Sequence, residues 1–352
     1  MFLALKEIKH EKLRYGLIVL IIFLISYLIF MLSSLAIGLA SENTQALESW
    51  QAKSVILNQN ANLSMNQSVL TKNDLKNLDL TKHDAYVGQT ATVAKKSGRP
   101  SLSAQFLGIK KSEFIYKDLE LTSGRKAKTN HEVVVDQAFQ QRGYKLGDKI
   151  TLSGTKGKYK IVGFVKNAKI NIAPIIYGSL ATWKKLHVTA PNVVASGVVS
   201  QKSLSYKHKN AKTYDIKHFI NKLPGYTAQN MTFEMMIGFL FVISLIVVAV
   251  FLYILTMQKL NNFAVMRAQG IPSRTLVGAT MIQSLILMVL GVALGLIMMT
   301  ITMAAMPPVV PMAFTPAIML AGSVGMLLMG LIGSLIPVRS ILKVDPVSAI
   351  GA

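Results

Sequence analysis

Four long apolar blocks constrain this chain more than anything else in it, at roughly 15–40, 235–257, 276–304 and 317–337. Each is long enough to cross about 30 Å of hydrocarbon, which takes about 20 helical residues. None carries Asp, Glu, Lys or Arg in its middle, where a charge would cost about 2.5–3.5 kcal/mol on insertion scales. A helix on the surface of a soluble core keeps a polar face, and these blocks have none. They read as transmembrane helices. The first run, Gly16 to Ala40, far exceeds the roughly 7–15 residues of a signal-peptide core. It is therefore expected to remain as a helix, despite the weakly cleavage-like "LAIGLAS".

The flanking charges set an orientation. "LKEIKHEKLRYG" carries Lys6, Lys9, Lys12 and Arg14, and "QKLNNFAVMRAQGIPSRT" carries Lys259, Arg267 and Arg274 with no acid. The tail holds Arg339 and Lys343, whereas "MAAMPPVVPMAFTP" has no charge. Basic short loops stay inside, so both termini are expected in the cytoplasm. The expected order is a cytoplasmic amphipathic segment (1–14), helix 1 (15–40), an extracytoplasmic domain (41–232) and helix 2 (233–257). A cytoplasmic elbow (258–275), helix 3 (276–304), a short outer loop (305–315), helix 4 (316–337) and a cytoplasmic tail (338–352) follow.

The segment 41–232 holds 29 basic against 12 acidic side chains. Long translocated domains are exempt from the charge rule, so this does not disturb the topology. A basic surface facing outward meets anionic lipid, wall polymer or an anionic substrate more readily than nucleic acid; a lysine-rich solvated surface is the plainer alternative. "HEVVVDQAFQQRGYKLGDKITLSG" reads as strand, helix, turn, strand. "KYKIVGFV" and "NIAPIIYG" are strand candidates, and "SLATWKKL" is a short helix with Ser179 as its N-cap. Residues 54–112, rich in Asn, Ser, Thr and Lys, give a weaker pattern. The fold class is thus an α-helical membrane protein with four transmembrane helices plus one α/β extracytoplasmic domain inserted between helices 1 and 2.

Several chemistries are excluded. The chain has no cysteine, hence no disulfide, thiolate metal site or Cys nucleophile. The six histidines show no metal-ligand spacing. The helices carry no catalytic His or carboxylate pair at mid-bilayer, which argues against a membrane enzyme. No G-x-x-x-x-G-K-[ST] loop is present; "SGTKGKYK" has the wrong spacing.

One long outer domain between helices 1 and 2, followed by three more helices, resembles the permeases of MacB/FtsX-type ABC transporters. The elbow "FAVMRAQGIPSRTL" is similar to that family's cytoplasmic signature, and "RSILKVDPVSAIGA", with Asp345, Pro346 and Ala349, to its C-terminal one. The block 132–152 resembles its outer core domain. The opening "MFLALKEIKHEKLRYGLIVLIIFLISYLIFMLSSLAIGLASEN" and the compact outer domain resemble the family's haem-exporting branch. The resemblance implies a homodimeric permease in the plasma membrane of a bacterium, with a Gram-positive host. Two copies of a separate cytoplasmic ATPase would bind ATP and Mg, so this chain would not itself be the enzyme and would hold no cofactor of its own. ATP-driven closure would push on the elbow, with Met266 and Ile271 inserting into the ATPase, Gly270 and Pro272 setting the bend, and Arg267 and Arg274 holding the interface.

Haem as transported substrate needs flat apolar walls, iron ligands and partners for two propionates. The outer end of helix 1 offers Glu42, Asn43, Glu48 and Trp50; that of helix 2 offers Met231, Phe233, Glu234 and Met235. Ferric iron is hard and suits carboxylate oxygen, so Glu42 and Glu234 are the ligand candidates, with Met231 and Met235 second. Phe233 and Phe239 could supply aromatic wall. The plainer alternative is that the methionines pack and the glutamates cap or solvate helix ends. Two other functions stay open: export of an antimicrobial peptide or lipid-like amphiphile, and FtsX-like mechanical regulation of a cell-wall hydrolase.

Overall fold

The computed structural model describes residues 11–307 and 310–342. Most of the amphipathic N-terminal segment, and the tail with Asp345, Pro346 and Ala349, lie outside the described residues. The chain divides into two compact units: Gly38–Asn230, and Met1–Ile37 together with Met231–Ala352.

Helix α1 runs Lys12–Ser49, well past the expected end at 40. After Gly38 the sequence "LASENTQALES" has no Gly or Pro to stop it. Ala46, Leu47 and Trp50 recur on one helical face and are at most 3% exposed. They pack with Val55, Tyr177, Val199 and Phe219 of the outer unit. Burial against a sheet, instead of hydrocarbon, carries the helix onward.

The outer unit is a long mixed sheet with short helices. Its first strands are β1 (Ser54–Asn58), β2 (Leu70–Thr71), β3 (Asp84–Lys95) and β4 (Leu102–Ile109). Helix α2 (Phe114–Lys117), β5 (Leu121–Gly124), β6 (Glu132–Asp136), helix α3 (Ala138–Gln141), β7 (Lys149–Leu152) and β8 (Lys158–Val165) follow. Then come β9 (Lys169–Ile170), β10 (Ala173–Ser179), helix α4 (Leu180–Leu186), β11 (Val193–Ala195) and β12 (Gly197–Ser200). The unit's last strands are β13 (Lys207–His208) and β14 (Ala211–Asp215), with helix α5 (Ile216–Asn221). The strand order is β13-β14-β1-β12-β3-β4-β10-β6-β8-β5; β7 pairs β3 and β8, β9 pairs β10, and β2 pairs β11 apart. The pairs β4–β10 and β6–β8 are parallel.

Local sequence explains much of this. The strand–helix–turn–strand block is β6, α3 and β7, and Ser179 caps α4, its side chain accepting from Thr182 N. Trp183 on α4 is fully buried. It fits because Gly88 and Gly108 face each other across β3 and β4. A Cβ on either would come within 2.5 Å of a Trp183 atom, a close approach only glycine permits.

The membrane unit contains the first part of α1, helix α6 (Tyr226–Gln258, from Met231), α7 (Leu260–Ala268), α8 (Ser273–Ala305), α9 (Pro316–Gly333) and α10 (Leu335–Leu342). Among the described residues, four helical stretches are long and apolar enough to cross a membrane: α1, α6, α8 and Pro316–Leu342. Small residues let α1 and α8 approach closely: Gly291 lies against Ile22, and Gly295 against Ser26, a habit of helix pairs that lack a hydrophobic drive to associate. Polar side chains bond between helices, as Tyr27 with Thr302 at 2.9 Å. The unit's core is apolar, built from Ile22, Phe30, Leu252, Leu287, Met288, Met299 and Met326 among others.

Candidate functional site

The outer unit holds three of the expected substrate residues, all on the last turns of α1. Glu42 does not stand free: its carboxylate accepts from the Lys169 ammonium on β9, and the two side chains are only 12% and 17% exposed. The adjoining turn fastens onto the same place. Asn171 N donates to Asn43 O at 3.1 Å, and Ile172 N to Glu42 O at 3.3 Å. Asn171 and Ile172 both have positive φ, 50° and 66°, as a two-residue hairpin turn demands. Asp136 at the end of β6 completes the cluster, accepting from Ala138 N at 2.8 Å and Ala168 N at 3.1 Å. Burial pushes its carboxyl up, against the pull of those backbone N–H groups and Lys169.

Asn43 is 1% exposed, and its amide donates to Leu39 O at 2.8 Å. It braces the helix and offers no surface to a ligand in this arrangement. Glu48 accepts from Thr44 Oγ1 at 2.5 Å. It borders a cavity of about 250 Å³ with Asp118 and Glu120 at its rim and Trp50, Phe114 and Tyr177 deeper in. Lys166 reaches Glu120 at 3.4 Å.

The membrane unit holds the other expected substrate residues, on α6. Met231, Met235 and Phe239 are 58–64% exposed and recur every fourth residue, forming one stripe. Glu234 is exposed beside that stripe, and Phe233 is half-buried. Among the described residues no three His, Cys, Asp or Glu side chains gather as a metal site.

The elbow is a folded element. Helix α7 ends at Ala268 with Gln269 as its C-cap, and Gly270 just beyond it has a φ of 89°, which suits a left-handed cap. Gly270 N donates to Arg267 O at 3.0 Å, and Ile271 N to Met266 O at 3.1 Å. Pro272 then leads into α8 at Ser273. Met266 and Ile271 are half-buried and pack on Phe263, Leu276 and Ile341. They hold the elbow's own core as well as bordering its surface. Gly270, Pro272 and Arg274 are exposed, and so is Val265, at 48%. Phe263 and Ile341 were not singled out in the sequence, because only folding brings the tail beside the elbow.

Residues 16–204 match the MacB-like periplasmic core domain, and residues 234–346 match the FtsX-like permease C-terminal model. The chain belongs to the MacB/FtsX family of ABC transporter permeases. Family members are transport subunits set in a membrane and served by a partner ATPase, and this permease has the four apolar helices to match. A relative from Staphylococcus haemolyticus, named putative hemin transport system permease protein HrtB, is 29% identical over 100% of this chain and 99% of its own. A Staphylococcus epidermidis protein of the same name is 25% identical over the same shares. An uncharacterized ABC transporter permease of Mycobacterium tuberculosis is 22% identical over 66% of this chain and 64% of its own. Two solved structures are also similar. The extracellular domain of the transporter YknZ is 16% identical, covers 43% of this chain and 83% of its own, and has a TM-score of 0.32. The periplasmic region of MacB from Actinobacillus actinomycetemcomitans is 15% identical, covers 48% and 92%, and has a TM-score of 0.35.

Proposed function

We propose that the permease is the membrane subunit of an efflux pump that removes haem from the membrane. Two copies of the chain work with two copies of a cytoplasmic ATPase that binds ATP and Mg, and the chain itself carries no catalysis or resident cofactor. Both termini are cytoplasmic and the sheet domain is outside, in the plasma membrane of a Gram-positive bacterium. The observation that carries this reading is similarity along essentially the whole chain to relatives named as hemin permeases.

The side chains support a weak, releasable haem site. Met231, Met235 and Phe239 offer a polarizable apolar stripe, suited to a porphyrin face. Glu234, exposed next to it, is the first candidate for ferric iron. Glu42 ranks second, since it must leave Lys169 to ligate iron. Asn43 takes part only if α1 loosens, because its amide is engaged and buried. Glu48 lies among other carboxylates, which repel propionates.

That last feature favours a second reading. A cavity lined by Glu48, Asp118 and Glu120 against the one lysine Lys166, over aromatic side chains, suits a cationic amphiphile, such as an antimicrobial peptide. Ferric haem titrated into the purified permease, followed at the Soret band, separates the two. Saturable binding, weakened about tenfold (about 1.4 kcal/mol) by Glu234→Ala, is the expected result. Full binding by the Glu42→Ala/Glu234→Ala double variant would remove the carboxylates from the site. No Soret change with the unaltered permease would turn the assignment to the cationic amphiphile.

A further inference from the structure

One buried hydroxyl joins three helices of the membrane unit. Tyr15, on the first turns of α1, is 1% exposed. Its oxygen accepts from the Lys259 ammonium at 2.6 Å and from the Gln283 side-chain amide. The ammonium also lies 5.3 Å from the centroid of the Tyr15 ring. Lys259 stands at the junction of α6 and α7, where the elbow begins, and Gln283, 7% exposed, is on α8, into which the elbow leads. The three residues are 244 and 268 positions apart along the chain.

Volume alone does not explain this choice. A phenylalanine would fill the same space among apolar neighbours such as Ile18 and Leu287. The hydroxyl adds direction: hydrogen bonds from a charged donor are short and strong, and more so away from water. The elbow is held further along by Phe263, Met266 and Ile271, which pack with Leu276 and Ile341.

We infer that Tyr15 is a positioning residue for the coupling elbow. Its hydroxyl locks Lys259 and Gln283 to α1, so that displacement of α7 reaches α1 and α8 together. The inference rests on the proposed function insofar as the elbow receives the push of an ATPase.

The absence of native cysteine makes the test clean. Val265 on α7 and Ile301 near the end of α8 are both about half-exposed and can be replaced by spin-labelled cysteines. In the full permease in nanodiscs, Tyr15→Phe is expected to broaden the distance distribution between the labels. With the partner ATPase reconstituted, haemin exported per ATP hydrolysed should fall about tenfold, within the usual range of coupling energies, while hydrolysis itself persists. Lys259→Met should do the same, and the double variant should lose no more than the worse single one. Lys259→Arg, which keeps a donor, should retain most coupling. An unchanged distance distribution with unchanged export per ATP in Tyr15→Phe overturns the inference, as does simple additivity of the two variants. If Tyr15→Phe fails to fold, Gln283→Leu, which removes the other donor to the same hydroxyl, carries the same two readouts. If the unaltered complex exports no haemin, the substrate reading fails instead, and the label distances still decide the role of Tyr15.

Discussion

Glu42 illustrates how a side chain's partner alters its chemistry. Read along α1, it is a carboxylate at the outer end of a membrane helix. Folded, it is the mate of Lys169. Removing one partner of a largely buried pair leaves the other charge stranded, which costs about 3–5 kcal/mol. Glu42→Ala should therefore destabilise the outer unit by about that amount. Glu42→Gln with Lys169→Met should cost much less than the two single changes summed, since neighbours in one pair are not additive. Chemical unfolding of the full chain reads this directly, because both tryptophans, Trp50 and Trp183, belong to the outer unit.

A second carboxylate gives a pH signature. The Arg125 guanidinium reaches both oxygens of Glu132, one bond being 2.9 Å. That bond holds the Glu132 carboxyl down at about 2, from an ordinary 4.5. A folded-state value below the unfolded one gives stability that is present above the unfolded value and lost on acidification. The stabilisation should therefore fade between about pH 4.5 and about pH 2. Glu132→Gln should be less stable than the unaltered chain at neutral pH, and the gap should close across that window when tryptophan fluorescence is followed. An equal gap at every pH would mean the ion pair is not the source.

At the scale of elements, the α1–α8 contact is the sharpest packing constraint in the membrane unit. A Cβ on Gly291 would lie 2.5 Å from Ile22 Cγ2, and one on Gly295 2.4 Å from Ser26 Oγ. Overpacking of this kind costs about 1–3 kcal/mol. Gly291→Ala should lower the thermal stability of the detergent-solubilised permease. Gly278→Ala on the same helix should not, since nothing stands within 4 Å of that position. Equal melting of the two variants would mean the helices do not meet this closely. The existence of both helices was legible from their apolar runs, but the contact was not: a glycine in a transmembrane run is as compatible with lipid as with a neighbour. The continuation of α1 beyond the expected span is hidden from the sequence for a similar reason. The expectation of 15–40 followed hydrophobicity, whereas Ala46, Leu47 and Trp50 continue the helix because a sheet covers them.

For the whole molecule, two chemistries sit in separate units: an apolar bundle with a folded elbow, and a basic sheet domain with partly buried ion pairs. If haem is shared between two copies of the permease, the Soret titration should saturate near one haem for two chains; saturation at one per chain would place a complete site in each. The four spans, the basic elbow and the outer domain were readable in the sequence because the bilayer punishes charge and rewards length, and both are visible residue by residue. The strand–helix–turn–strand block and the Ser179 cap were readable because local periodicity and capping need only near neighbours. Only the tertiary structure decided that Glu42 belongs to Lys169, that Asn43 faces inward, that Met266 packs beneath its own elbow, and that Tyr15 gathers Lys259 and Gln283. The Glu42–Lys169 pair and the two bonds to Tyr15 span 127 to 268 residues of chain, and no local propensity encodes them. They arise because a buried polar atom must find a partner wherever the fold brings one.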